Sequence, residues 1–255
     1  MSYQSFAEFY DVLTDNVGYK KLSDYICSLL SQNGINGGLL LDLACGTGTL
    51  SILLEKQGFS VIGVDASEEM LSVAQSKLYD GSRDIMFLCQ NMLYLDLYGT
   101  VDCAVCTLDS LNHLADINEV KKAIEKVSLF MNPGGIFIFD VNTLYKHRNV
   151  LGNNAFIYDC GSVLCAWQNT LCNNNATVDI DLDFFTENDN GTYDRFCESF
   201  SETAYELAEI ENAVKEAGFE IINIYNEMSE DKPESDCERA VFVVKKTALT
   251  KFADC

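Results

Sequence analysis

Proline is nearly missing from this chain, with 2 in 255 residues beside 16 glycines, which excludes collagen-like and proline-rich extended architectures. Long apolar runs are missing as well. The longest, near Leu39, is broken at Asp42, far short of the ~20 residues that a membrane helix needs, so no membrane association is expected. Basic residues are few: 17 Lys and Arg stand against 39 Asp and Glu, a net charge of −22 that repels phosphate backbones and anionic lipid surfaces. Nucleic acid is therefore not the expected partner, and Lys20–Lys21, Lys121–Lys122 and Lys245–Lys246 read as isolated solvated pairs. Only two histidines are present, and Cys103-x-x-Cys106 has no second such pair, so no metal site is expected. On a strand these two thiols would point to opposite faces. Eleven cysteines is an odd number. Nothing at the N-terminus joins a basic start to an apolar stretch, so the thiols read as reduced and the protein as cytoplasmic. What remains, 48% hydrophobic and 22% charged positions, is the composition of a folded domain large enough to bury a continuous core.

From Leu39 onward short apolar runs alternate with amphipathic ones: LLLDLA, TGTLSILLEKQ, SVIGVDA, SEEMLSVAQSKL, DIMFLC, VDCAVCTL and GIFIFDV. This is the βαβ rhythm of a parallel sheet with helices on both faces. Residues 116–131 read as a crossover helix stopped by Asn132-Pro133-Gly134-Gly135. Two helical patterns over 5–30, parted by Asn16-Val17-Gly18, are expected to cover one edge of the sheet. Residues 155–201 change character to alternating Asp, Thr, Tyr and Phe with a hairpin signal at Asn188-Asp189-Asn190-Gly191, an antiparallel insertion. Phe156, Trp167, Phe184 and Phe185 are expected mainly in its own core. A helix at 205–217 and strands at 220–225 and 240–244 would complete the main sheet. The expected organisation is a helical cap at 1–37, a core at 38–150 and 202–247, and an insertion at 151–201 that serves as a substrate lid or a dimer contact, the latter giving a homodimer.

The chemistry-bearing motif is Leu41-Asp42-Leu43-Ala44-Cys45-Gly46-Thr47-Gly48. It closes a strand and opens a helix, where glycines let backbone approach a ligand and the helix start offers free N–H groups. A dinucleotide fingerprint would need a third glycine at position 51, which is Ser51, and Asp42 suits a cationic amine better than a pyrophosphate. Asp65 ends the next strand, 23 residues after Asp42, where its carboxylate can accept from ribose hydroxyls. Together these describe a nucleoside that carries an amino acid.

Through LDLACGTG at 41–48, VIGVDASEEML at 61–71 and PGGIFIFDV at 133–141, the sequence resembles the class I S-adenosylmethionine-dependent methyltransferases. Within them it is similar to glycine N-methyltransferases, sugar N,N-dimethyltransferases and YqeM-like bacterial proteins, which share the YxxFAxxYD pattern found here at 3–11. The resemblance implies a Rossmann-like, seven-stranded, mostly parallel α/β sheet with an antiparallel insertion after the fifth strand, and S-adenosyl-L-methionine as cofactor. It implies that backbone at Ala44, Gly46 and Gly48 holds the methionine part and Asp42 its ammonium. Asp65 and Ala66 would take the ribose, Met70 and Met92 the adenine ring, and Asn91 the adenine amine, where many relatives have Asp. Tyr10 would lie over the cofactor, and Thr107 and Leu108 would touch it.

His113 falls on the His of the S-x-x-H-L pattern seen in the N-methyltransferase relatives, where YqeM-like proteins often have Tyr. An imidazole titrates near neutrality and is suited to take a proton from an ammonium substrate; orienting its neighbours or contacting the methionine carboxylate is the alternative role. Asp109 either caps the following helix or faces the pocket and draws in a cationic amine. His147 lacks such a context and reads as a surface residue. The expected activity is in-line methyl transfer to a small-molecule acceptor, an amine nitrogen, in which positioning and water exclusion supply most of the acceleration. Methylation of RNA or protein, or cofactor binding without catalysis, are the competing expectations.

Overall fold

The computed structural model describes residues 4–78 and 84–247. Tyr3 of the YxxFAxxYD pattern lies outside them. In chain order the elements are α1 (Gln4–Leu13), α2 (Tyr19–Gln32), β1 (Gly38–Leu43), α3 (Thr49–Lys56), β2 (Phe59–Asp65), α4 (Glu68–Ser76), β3 (Ile85–Cys89), β4 (Val101–Cys106), α5 (Ile117–Leu129) and β5 (Met131–Asn142). They continue with β6 (Ala155–Asp159), β7 (Leu164–Leu171), β8 (Thr177–Glu187), β9 (Tyr193–Thr203), α6 (Leu207–Glu216), β10 (Phe219–Asn226) and β11 (Arg239–Lys246).

Seven strands form one sheet in the order β10-β11-β5-β4-β1-β2-β3. β1 to β5 run parallel, while β11 lies antiparallel between β5 and β10. Alternation along each strand feeds two cores. Leu41, Ala104, Cys106, Phe137 and Phe139 face α5 and α6, where they meet Val120, Ile124, Ile210 and Val214. Leu40, Cys103, Val105, Ile136 and Ile138 face α2 and α3, against Ile26, Leu29, Leu30 and Leu54. Cys103 and Cys106 thus pack on opposite sides of the sheet. α2 covers a face of the sheet rather than its edge, a correction to the sequence reading. The lysine pairs need one too: Lys246 is buried, and its ammonium donates to Ser128 Oγ, so it is not solvated.

The second sheet, β6-β7-β8-β9, is antiparallel throughout. Its hairpin closes where Asn188 N–H donates to Thr192 O (2.8 Å). Its inner face buries Val178, Ile180, Leu182 and Phe184, with Phe156 and Trp167 packed on them, and it takes Phe9 and Leu13 of α1 into the same cluster. The insertion and α1 therefore form one roof. It stands over the carboxyl ends of β1 and β4, the adjacent strands from which the chain runs outward in opposite directions, and such a reversal opens a crevice.

Candidate functional site

Three non-glycine residues with left-handed backbone mark the ends of the two strands flanking that crevice: Ala44 after β1, and Leu108 and Asp109 after β4, with φ of 59°, 57° and 54°. Such backbone is costly and persists only where neighbours hold it. On the β1 side Cys45 N–H donates to Val64 O (3.0 Å) and Gly46 N–H to Asp65 Oδ2 (2.8 Å). The other Asp65 oxygen accepts from Ser67 N–H (2.9 Å), and Ser67 Oγ caps α4 by accepting from Met70 N–H (3.1 Å). The two glycines of the loop serve different ends. A β-carbon at Gly48 would stand 2.7 Å from the Phe87 ring, so Gly48 is required by packing of α3 against β3. Above Gly46 the space is open up to the Tyr10 ring, whose Cε1 would lie 3.8 Å from such a carbon.

Tyr10 is delivered there by its neighbour. Asp11 accepts from Thr47 Oγ1 (2.6 Å) and Thr49 Oγ1 (3.1 Å) and pairs with Lys77 of the α4 end, whose ammonium also donates to Thr47 O (2.9 Å). This clamp ties α1 to the glycine loop. Burial first, then Tyr19, Asp109 and Asp65, push the Tyr10 phenol up and keep it neutral. Asp42 is buried beneath the loop and accepts from Ser51 Oγ. Burial, helped by Asp65 and opposed by Ser51, pushes its carboxyl up to about 7.

On the β4 side, Leu108 N–H and Asp109 N–H both donate to Asp140, at 2.9 and 2.7 Å. Arg239 then joins the carboxylates: Nη1 reaches Asp140 at 3.0 Å and Nη2 reaches Asp109 at 3.1 Å. Burial alone would raise the Asp109 carboxyl, but Arg239, Lys146 and His113 hold it below the usual carboxylate range. Asp109 makes no helix-capping bond; the guanidinium and the Asn142 amide occupy its carboxylate instead. This corrects the expected cap, and Asp109 shares the one guanidinium with Asp140 and Glu227. Thr107 and Leu108 line a small cavity with Asp140, Arg239, Leu22 and Ile26, on the α2 side and away from the glycine loop.

His113 sits in the 3-10 turn Ser110–His113, half-exposed, with its ring 5.1 Å from that of Phe200 and Nε2 3.9 Å from Glu202 Oε1. Asn91 lies at the start of another 3-10 turn, and its Oδ1 accepts from Leu93 N–H (2.8 Å). Met92 follows it and packs against the first core, while Met70 is half-buried at the head of α4. Ala66 is exposed beside Asp65. His147 is fully buried, which overturns the surface assignment. The π-helical turn Lys146–Leu151 rolls it inward, where Nδ1 lies 2.7 Å from Ala176 O. Asp11, Lys77, Ser51, Asp140, Asn142, Glu202 and Arg239 are candidate site residues that motif reading did not assign. A visible signal existed for Arg239, a lone cation opening the apolar strand RAVFVV, and for Asp11, the last residue of YxxFAxxYD.

The family model for the methyltransferase domain matches residues 40–135. The crystal structure of an S-adenosylmethionine-dependent methyltransferase from Clostridium acetobutylicum is 35% identical, with a TM-score of 0.87 over 96% of this chain and 99% of that one. YqeM of Bacillus subtilis is 34% identical over 97% of this chain and 98% of its own length. The chain belongs to the S-adenosylmethionine-dependent methyltransferases. Mouse glycine N-methyltransferase is 32% identical over 138 residues, 49% of this chain and 44% of that protein. For a methyltransferase of this family the donor set is apt: a carboxylate at the end of β2, open backbone at Gly46 under an aromatic ring, and a buried acid below the loop fit a cationic amino-acid nucleoside. The methyltransferase crevice is roofed by Tyr10 and by Phe9, whose ring centroid is 6.5 Å from that of Phe196 on β9.

Proposed function

We propose that this enzyme methylates the nitrogen of a small-molecule amine. The reading rests chiefly on His113, a half-exposed imidazole backed by Phe200 and facing acidic side chains at the crevice, and is supported by the glycine N-methyltransferase relatives. S-adenosylmethionine supplies an electrophilic methyl group when bound. His113 accepts a proton from the incoming ammonium and so frees the lone pair, and Asp109 adds to the field that favours the resulting imidazolium. Tyr10, Phe9 and Phe196 exclude water above the reacting centre, which is where a displacement of this kind gains most. Asp42 faces the methionine ammonium from below, and Asp65 takes the ribose.

The test is a methylation assay over a panel of primary and secondary amines including glycine, sarcosine and an amino sugar. His113→Asn is expected to lower kcat about a hundredfold, with the Kd for S-adenosylhomocysteine unchanged; equal turnover in the variant overturns the assignment.

A second expectation follows from Asp42. With its carboxyl pushed up to about 7 by burial, it takes up a proton as pH falls through that value and ceases to balance an ammonium. The ligand's own α-amino group gains protons below about 8 and works the other way, so Asp42→Asn is the reference. Calorimetry with S-adenosylhomocysteine should show the wild-type affinity, relative to that variant, falling about tenfold from pH 8 to 6.

A further inference from the structure

Both histidines of this chain face one carboxylate. Glu202, buried at an inward position of β9, has Oε1 3.9 Å from His113 Nε2 and Oε2 3.7 Å from His147 Nε2. The Nδ1 of His147 lies 2.7 Å from Ala176 O; a carbonyl only accepts, so Nδ1 carries a hydrogen. That leaves Nε2, fully buried and without a hydrogen-bond partner, looking onto Glu202 Oε2. Two acceptors facing each other in a buried site would repel, so one proton belongs between them. Asn142 places it. Its Oδ1 accepts from Lys146 Nζ (3.0 Å), which fixes the amide orientation, and its Nδ2 donates to Glu202 Oε2 (3.1 Å) and to Asp109. An amide N–H aimed at that oxygen suits a carboxylate, so the proton sits on His147.

We propose that Glu202 is the positioning residue for His113. The carboxylate, balanced on one side by a buried His147 imidazolium, presents Oε1 to the His113 ring and is placed to pair with an imidazolium formed there. The inference rests on His113 as the base of the reaction. An N–H bond of the acceptor ammonium breaks, its electron pair stays on nitrogen as the nucleophilic lone pair, and the proton bonds to the His113 imidazole. The imidazolium faces Glu202 until the half-exposed ring releases the proton to water. The other charges near this centre are Asp109, which also faces His113, and behind it Arg239 and Lys146. The geometry thus selects an acceptor that arrives as an ammonium and leaves the roof sheet, through β9, in contact with the proton it gives up.

The test uses the full chain, whose two imidazoles give an uncluttered long-range ¹H–¹⁵N spectrum. Near pH 7 both ring nitrogens of His147 are expected in the protonated range. In Glu202→Gln, Nε2 of His147 should lose its proton and the His113 titration should move to lower pH. In His147→Gln the carboxylate loses its competing cation, and the His113 titration should move to higher pH. Opposite displacements in the two variants are not a consequence of general loosening of the fold, and the acid limb of kcat/KM on the best amine of the panel should follow them. A His147 whose Nε2 is unprotonated in the wild type, or a His113 titration indifferent to both substitutions, overturns the proposal. If Glu202→Gln fails to fold, the wild-type spectrum and His147→Gln decide it. The base assignment fails separately: it falls if His113→Asn leaves turnover intact while the spectra shift as stated.

Discussion

Asp65→Ala should weaken binding of S-adenosylhomocysteine by about a hundredfold or more, the largest loss expected from any single change at the glycine loop. Hydrogen bonds to a charged group contribute about 1.5–3 kcal/mol each, and two ribose hydroxyls on one carboxylate correspond to about 3 kcal/mol or more, which is two decades in Kd. Asp65 has a second duty that makes the loss steeper. Its two oxygens already accept from Gly46 N–H and Ser67 N–H, so the side chain latches the loop to the start of α4, and removing it frees the backbone that should meet the methionine part. Asp65→Asn keeps one carbonyl acceptor and should lose about tenfold. Calorimetric titration of the three proteins orders them, and an Asp65→Ala affinity within threefold of wild type would remove Asp65 from the ribose site.

The parallel sheet was legible because strands buried on both faces read as unbroken apolar runs, and the loop was legible because close backbone approach demands glycine. What escaped was pairing between distant positions. An amphipathic period in α2 says that one side is buried but not against what, so its place on a sheet face came only with Leu29 and Leu30 seen beside Val105 and Ile138. His147 lies in Lys146-His147-Arg148-Asn149 and reads as surface. Its ring is buried where Nδ1 meets Ala176 O and Nε2 faces Glu202, partners 29 and 55 positions away in the chain. The usable signal was phase. Phe196, Glu198, Phe200 and Glu202 share the inward side of β9 by the period of two, and an acid on the side that carries the phenylalanines needs a partner. Ser51, read as an exclusion of a dinucleotide site, is also the hydroxyl that holds Asp42.

Arg239→Met is expected to cost about 3–5 kcal/mol of stability, because it removes the cation from the buried Asp140 and the partly buried Asp109 while filling the space of the side-chain stem. That is a large fraction of the ~5–15 kcal/mol typical of a folded domain, and it should appear as a marked fall in the urea midpoint. The pH dependence gives the sign. In the wild type the guanidinium holds the Asp109 carboxyl low and opposes the rise that burial imposes on Asp140. Without it both carboxyls rise, the folded state binds more protons than the unfolded one, and stability falls as pH increases. The deficit should therefore be smaller at pH 5 than at pH 8. Asp140→Asn added to Arg239→Met should restore part of the loss at pH 8, and a double-mutant cycle isolates that coupling. The consequence reaches the chemistry, since Asp140 also accepts the N–H groups of Leu108 and Asp109, two left-handed residues that aim the turn carrying His113. A variant that folds should accordingly lose turnover more than cofactor affinity, whereas a deficit below about 1 kcal/mol at every pH would show that solvent screens the cluster.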